Sequence, residues 1–222
     1  MPDLILTSKP FRRLVEAEPT VFIIDDDPNA RRRLGEQVAA MRLPARAYAS
    51  VAEFLGQCDG SAPGCVLLDV GLVDIHGLDC MEPFRQQGIH LPVIVLSAHG
   101  DVPAAVRAMK AGAADFLEKP CAAQKLQQSV REAVRWDAKH RRRLARYRAV
   151  QERLAGLTEG ERVVLRRLVA GRTNRQIAEE LGLSVRTIEV RRSKVMRKLE
   201  ADCLAHLVRL VLLDGREPVK EW

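Results

Sequence analysis

The chain has no C-x-x-C pair, no apolar run near the roughly 18 residues that span a bilayer, and no apolar stretch of signal-peptide type behind its first methionine. Each absence closes off a class. Its five cysteines, Cys58, Cys65, Cys80, Cys121 and Cys203, match no histidine spacing, so neither a zinc site nor a disulfide framework is indicated and buried, reduced thiols are expected. The expected address is the cytoplasm, with no membrane partner. What is present is 222 residues, 29% of them charged, enough for one large or two modest domains. The net charge of +7 is unevenly spread. Residues 1–119 hold 12 Lys/Arg against 16 Asp/Glu, whereas residues 120–222 hold 24 against 13, so the halves suit different partners.

In the acidic half, short apolar runs stand at "TVFII" (20–24), "CVLL" (65–68), "PVIVL" (92–96) and "DFL" (115–117), with a weaker one at "ARAYA" (45–49). All are too short for helices and read as strands. Helix start signals lie between them: Asp27 before Pro28, the capping box Ser50-x-x-Glu53, and Asp101 ahead of Pro103, with Gly112 closing the last helix. This alternation predicts an α/β domain with a doubly wound parallel sheet covered on both faces. In such sheets ligands bind past the carboxyl ends of the strands. The residues there are Asp25 and Asp26, Asp69, Ser97 and Lys119.

"FIIDDDP" (22–28) sets three carboxylates in a row. Two such charges about 4 Å apart repel by roughly 4 kcal/mol at an effective dielectric near 20, so they need compensation. Asp27 is read as the N-cap of the following helix. The other acids, with Asp69 and one ammonium, call for an added divalent cation, and Mg²⁺ suits an oxygen-only site.

These residues resemble a response-regulator receiver domain: the acidic pair, the Asp of "LLDVGL", the Ser of "LSAHGD" and the Lys-Pro of "FLEKP". "GDVPAAVRAMKAGAADFLEKP" is similar to the NarL/FixJ class. The resemblance implies a flavodoxin-like five-stranded fold and phosphoryl transfer from a sensor histidine kinase to Asp69. It implies Mg²⁺ held by Asp26, Asp69 and the Gly71 carbonyl, with Asp25 acting mainly through water. It also implies that Lys119 and the Ser97 hydroxyl meet the phosphoryl oxygens and that Phe116 is the aromatic switch. One departure is Val73, where the family usually has Pro, and an altered acyl-phosphate lifetime is expected from it.

The basic half carries helical spacing at Leu126, Val130 and Val134, then a polar run to 155 that reads as a last receiver helix prolonged into a linker. Thr158-x-x-Glu161, Thr173-x-x-Gln176 and Ser184 are further helix starts, and Gly182 is the expected C-cap of the helix before "LSVRTIEV". Two short helices joined by a Gly-containing turn, the second basic, form a helix-turn-helix pattern. In that second helix Val185, Ile188, Val195, Met196 and Leu199 are expected in the core. The opposite face presents Arg186, Glu189, Val190, Ser193 and Arg197, flanked by Arg191, Arg192, Lys194 and Lys198.

"LTEGERVVLRRLVAGRTNRQIAEELGLSVRTIEVRRSKVMRKLEA" resembles a LuxR-type helix-turn-helix. By that resemblance Glu189, Val190 and Ser193 read base edges of double-stranded DNA. Thr173, Asn174, Ser184, Arg186, Thr187, Arg191, Arg192, Lys194 and Lys198 are candidates for its backbone. Glu189 can accept from a cytosine amino group and Val190 can meet a thymine methyl.

The expected organisation is an N-terminal extension (1–19), a receiver (20–135), a helical linker (136–155) and an all-α DNA-binding domain (156–222). The expected function is phosphorylation-dependent transcription regulation by a non-enzyme that forms a homodimer when phosphorylated and meets RNA polymerase. One rival is a phosphorylation-independent DNA-binding regulator whose receiver is a dimerisation or ligand module. Another is a phosphatase of the haloacid-dehalogenase type, suggested by Asp25-x-Asp27 and opposed by Pro28.

Overall fold

The computed structural model describes residues 18–58, 60–69, 71, 81–98 and 102–214. Val73, Cys80, Asp101 and the extension before Glu18 lie outside the described residues. The chain divides into two compact units, with Arg141 the last residue of one and Arg142 the first of the other.

The first unit is a parallel sheet of β1 (Thr20–Ile24), β2 (Ala45–Tyr48), β3 (Gly64–Asp69), β4 (Val93–Ser97) and β5 (Asp115–Glu118), in the order β2-β1-β3-β4-β5. After β1 the chain goes outward to β2 and then returns to the other side for β3. Strand order therefore reverses between β1 and β3, and the crevice forms past the carboxyl ends of these two strands. Both faces are covered, as the apolar runs predict. On one, Phe22, Ile24, Val66, Leu68 and Val95 pack with Phe54 of α2 (Val51–Gln57) and Phe84 of α3 (Glu82–Gln86). On the other, Val21, Ile23, Leu67, Ile94 and Leu96 pack with Leu34 and Val38 of α1 (Pro28–Ala40) and with Leu126, Val130 and Ala133 of α5 (Ala123–Ala155). The faces take alternate residues of each strand, which is the strand period of two. Phe54 meets the Phe22 and Tyr48 rings edge-on at centroid distances of 5.4 and 5.3 Å, and truncating such a side chain costs about 3–5 kcal/mol. Helix α4 (Val102–Lys110) precedes β5, with Gly112 just beyond it at a positive φ of 96°.

Asp27 caps α1 as expected, accepting from the N–H groups of Asn29 and Ala30. The Ser50 box closes differently. Ser50 accepts from the Glu53 N–H, but Glu53 reaches back one residue further, to the N–H of Ala49. Gly64 opens β3 at φ 147°, and a Cβ there would stand 1.8 Å from the Thr20 carbonyl oxygen, so no larger residue fits beside β1.

Within this unit α5 is fastened by a clasp that the sequence reading did not foresee. Asp137 is 2% exposed and accepts from the Gly64 N–H and the Arg141 Nε. The Arg141 guanidinium also donates to the carbonyls of Gly60, Ser61 and Ala62. Burial, the largest influence, pushes the Asp137 carboxyl above its ordinary range, against the pull of Arg141 and the Gly64 N–H. Burial, with Asp137 nearby, also pushes the Cys65 thiol up to about 12. The cysteine expectation holds for Cys58 and Cys65, which are buried. It fails for Cys121, which is half-buried, and for Cys203, which is exposed and caps a helix with its Sγ.

The second unit packs α6 (Glu159–Val169), α7 (Asn174–Leu181), α8 (Val185–Lys198) and α9 (Leu204–Arg209) around Val164, Leu168, Ile177, Ile188, Val195, Leu199 and Leu207. A π-helical turn, Leu210–Asp214, follows. Thr158 and Thr173 form complete capping boxes with Glu161 and Gln176. Gly182 ends α7 in the left-handed region at φ 63°, the conformation that favours glycine at this position. Val185 departs from expectation at 41% exposed: as the first residue of α8 it precedes the turn that packs inward. The last turns of α5 are tied to the end of α8, where Arg153 donates to Glu200 at 2.6 Å. Among the described residues no helix is long and apolar enough to cross a membrane.

Candidate functional site

The acidic hollow forms where the fold places the crevice. Asp25 directly follows β1 and is 1% exposed, Asp26 is exposed, and Asp69 ends β3 half-buried. One carboxylate oxygen from each lies within 4.8 Å of the other two. Lys119, just past β5, places its Nζ 2.6 Å from Asp25 Oδ2 and 3.1 Å from Asp69 Oδ1. Burial pulls the Lys119 pKa down, but its hydrogen bonds to Asp25 and Asp69 outweigh that and leave it above the ordinary lysine value.

The backbone around the hollow is held as firmly as the side chains. The Asp27 N–H donates to Asp25 Oδ1 at 2.9 Å, which fixes the second oxygen of that carboxylate. Arg31 Nη1 donates to the carbonyls of Asp25 and Asp26 at 2.6 and 2.9 Å. Arg31 is a site residue that sequence reasoning missed; its place one turn into α1, under the acidic loop, is the signal that could have found it. Asp27 is turned into the helix it caps and offers no carboxylate to the cluster, which removes the Asp25-x-Asp27 pairing that suggested a phosphatase. Gly71 lies against Asp69, since a Cβ there would stand 3.2 Å from Asp69 Oδ2. Ser97 ends β4, is 5% exposed, and its carbonyl receives the Lys119 N–H at 2.7 Å. Phe116 sits on β5 opposite Val95, half-buried against the core of that face.

Three carboxylates against one ammonium leave two negative charges to offset. A hard divalent cation that takes a few carboxylate oxygens and keeps its waters fits this donor set, and magnesium is such a cation.

In the second unit, Thr173, Ser184, Arg186, Glu189, Val190, Ser193, Lys194 and Arg197 are exposed, while Asn174, Thr187, Arg191, Arg192 and Lys198 are half-buried. Arg186 and Glu189 approach to 3.7 Å on the outer face of α8. Arg192 donates to Asn174 Oδ1 at 3.1 Å, and the hydroxyls of Ser184 and Thr187 are 2.8 Å apart, which links the starts of the two helices to their outward face. The Arg191 guanidinium lies over Gly160, where a Cβ would stand 3.2 Å from it. Lys198 has internal partners: its Nζ is 2.7 Å from Glu161 Oε2 and 3.1 Å from the Gly156 carbonyl. Its ammonium bonds the end of α8 to the start of α6, a task the charge pattern alone did not disclose.

Residues 21–131 match the response regulator receiver domain, and residues 155–211 match the bacterial regulatory proteins of the luxR family. The transcriptional regulatory protein FixJ of Azorhizobium caulinodans is 41% identical over 204 residues, 90% of this chain and 95% of the relative. The response regulator TodT of Pseudomonas putida is 33% identical, covering 90% of this chain and 88% of its own length. Among solved structures, the response regulator StyR matches with a TM-score of 0.78 at 33% identity over 88% of this chain and 98% of that one. Full-length FixJ from B. japonicum matches with a TM-score of 0.54 at 35% identity over 90% and 98%. With a receiver crevice of three carboxylates and a lysine in one unit and a capped, basic helix-turn-helix in the other, the chain belongs to the NarL/FixJ class of response regulators, phosphorylation-dependent transcription regulators with a LuxR-type output domain.

Proposed function

We propose that Asp69 is the phosphoacceptor and that its phosphorylation by a sensor histidine kinase controls DNA binding by α8. The observation that carries this reading is the Lys119 ammonium set between Asp25 and Asp69 beside a third carboxylate. In the transfer, an Asp69 oxygen attacks phosphorus as the phosphorus–nitrogen bond to the kinase histidine breaks, and the imidazole keeps that electron pair. Phosphoryl transfer is mostly positioning and charge neutralisation. Lys119 supplies a fixed positive charge on the acceptor's side, and the Ser97 hydroxyl offers a hydrogen bond to a phosphoryl oxygen. Asp26, Asp69 and the Gly71 carbonyl would hold Mg²⁺, which would supply positive charge for the phosphoryl oxygens; Asp25 would act through water and through Lys119.

Drawing Ser97 and Phe116 toward the phosphate biases a two-state receiver. The favoured state pairs two copies through the face around β5. Val102, Val106 and Met109 on the neighbouring α4 supply an apolar stripe there, 77, 45 and 47% exposed. The dimer sets two output domains on paired DNA half-sites, with Glu189, Val190 and Ser193 at base edges and Thr173, Asn174, Ser184, Arg186, Thr187, Arg191, Arg192, Lys194 and Arg197 at the backbone. Lys198 serves that surface chiefly by holding α8 in place. RNA polymerase is the further partner and the cytoplasm the compartment. The domain division is an extension at 1–19, a receiver at 20–135, a linker at 136–155 and an output domain at 156–222.

The test is DNA footprinting of the full chain with and without a small-molecule phosphodonor, repeated on Asp69→Asn. Protection that strengthens with the donor and fails to strengthen in the variant supports the proposal. Equal protection in all four samples overturns it and favours a receiver that serves only as a dimerisation or ligand module.

A further inference from the structure

The three carboxylates of the hollow are not held alike. Asp25 accepts from the Asp27 N–H at one oxygen and from Lys119 at the other. Asp69 is the last residue of a buried strand and has Lys119 at 3.1 Å. Asp26 is exposed, and among the described residues its carboxylate accepts no hydrogen bond and forms no ion pair. Where its oxygens stand is therefore set by its backbone.

That backbone lies past the β1–β2 pairing, which ends at Ile24 and Tyr48. The helix that follows offers it no N–H. Pro28 has none to give, and those of Asn29, Ala30 and Arg31 all go to Asp27. Arg31 Nη1 takes their place, donating to the Asp25 carbonyl at 2.6 Å and to the Asp26 carbonyl at 2.9 Å. One nitrogen thus ties the two consecutive peptide units of the acidic pair to the first turn of α1.

Charge and placement pull in opposite directions here. A guanidinium beside a cation site repels the cation, so on charge alone the hollow would bind a divalent ion better without Arg31. A group that orients metal ligands from behind acts the other way, and losing one commonly weakens the metal by about 10–100-fold. The geometry favours placement. Arg31 faces carbonyl oxygens, and among the described residues it forms no ion pair with any of the three acids.

We propose that Arg31 is a positioning residue for the divalent cation, holding the Asp26 carboxylate where it meets Mg²⁺ together with Asp69, although its own charge opposes that ion. This rests on the reading of the hollow as a Mg²⁺ site.

The test measures Mn²⁺ binding to the full chain by electron paramagnetic resonance, which counts the free ion, and Mg²⁺ binding by displacement of Mn²⁺. The parent is compared with Arg31→Met, Arg31→Gln, Asp26→Asn and Arg141→Met, each shown to be folded by circular dichroism. Both Arg31 variants are expected to weaken both ions by about tenfold or more. Affinity that is unchanged or tighter in them overturns the proposal. Arg141→Met loosens the same unit at the loop that leads into β3, whose other end carries Asp69, and is expected to keep the parental affinity. An equal loss in Arg141→Met assigns the effect to general loosening and overturns the proposal as well. If Asp26→Asn loses the ion and the Arg31 variants keep it, the role of Arg31 alone fails. If the parent holds no ion, or Asp26→Asn holds it as tightly as the parent, the Mg²⁺ reading fails and takes this inference with it.

Discussion

Lys119 Nζ stands 3.1 Å from Asp69 Oδ1, which places a positive charge on the carboxylate proposed as the phosphoacceptor. Lys119→Met leaves the acceptor in place and removes that charge. The expected result is a loss of about a hundredfold or more in the rate of phosphorylation from a small phosphodonor, the scale seen when one preorganised charge-stabilising donor is deleted. The same ammonium sets an alkaline limit. Its pKa is raised on folding, so its contribution to stability is fully present below the ordinary lysine value and is lost as pH rises through the higher folded value. Denaturant titrations of parent and variant converge above pH 10.5 if this is correct.

Arg141→Met tests the clasp on α5. It strands the buried Asp137 charge and the carbonyls of Gly60, Ser61 and Ala62. Removing one partner of a buried ion pair costs about 3–5 kcal/mol. Urea denaturation of the full chain should show a loss of this size in the transition of the first unit. A change inside the error of the parent curve means that the clasp contributes nothing to folding.

Glu161 gives an acid limit to the second unit. The hydrogen bond from Lys198, and after it the one from the Thr158 N–H, hold its carboxyl down at about 2 against an ordinary 4.5. The sign follows from linkage: a carboxyl depressed on folding contributes stability above 4.5, and that contribution falls away as pH drops from 4.5 toward 2. Helical signal followed by circular dichroism in denaturant at each pH is expected to show this decline, and Glu161→Gln to flatten it. An equal decline in the variant assigns the acid sensitivity to other carboxylates.

Val106→Asp places a charge on the exposed stripe of α4, at a side chain outside the buried core. The variant is expected to keep the stability of the parent to within about 0.5 kcal/mol. In sedimentation with beryllofluoride and Mg²⁺ it should remain monomeric where the parent dimerises. A variant that dimerises like the parent moves the dimer face elsewhere.

The strands and the polar residues at their ends were legible in sequence, because short continuous apolar runs, too short for helices, give way within one or two residues to Asp25, Asp69, Ser97 and Lys119. The caps were legible because their chemistry is local: Asp27, Thr158 and Thr173 bond to N–H groups two or three residues away. What could not be read is the choice of partner over long separations. Asp137 accepts from Gly64, 73 residues away, and Lys198 reaches Glu161 at a separation of 37. Periodicity says which face a cation occupies and is silent on which carboxylate it meets. Val185 shows the converse limit, since a residue on the apolar side of the wheel stays exposed when it opens its helix.

The most direct measurement is peptide mass analysis of the full chain after incubation with phosphoramidate, in Mg²⁺ and in chelator. The prediction is one added phosphoryl group, on the peptide containing Asp69, present with Mg²⁺ and absent with chelator or in Asp69→Asn. A phosphoryl group found on another residue, or labelling of Asp69 that is indifferent to chelator, contradicts the assignment of the acidic hollow.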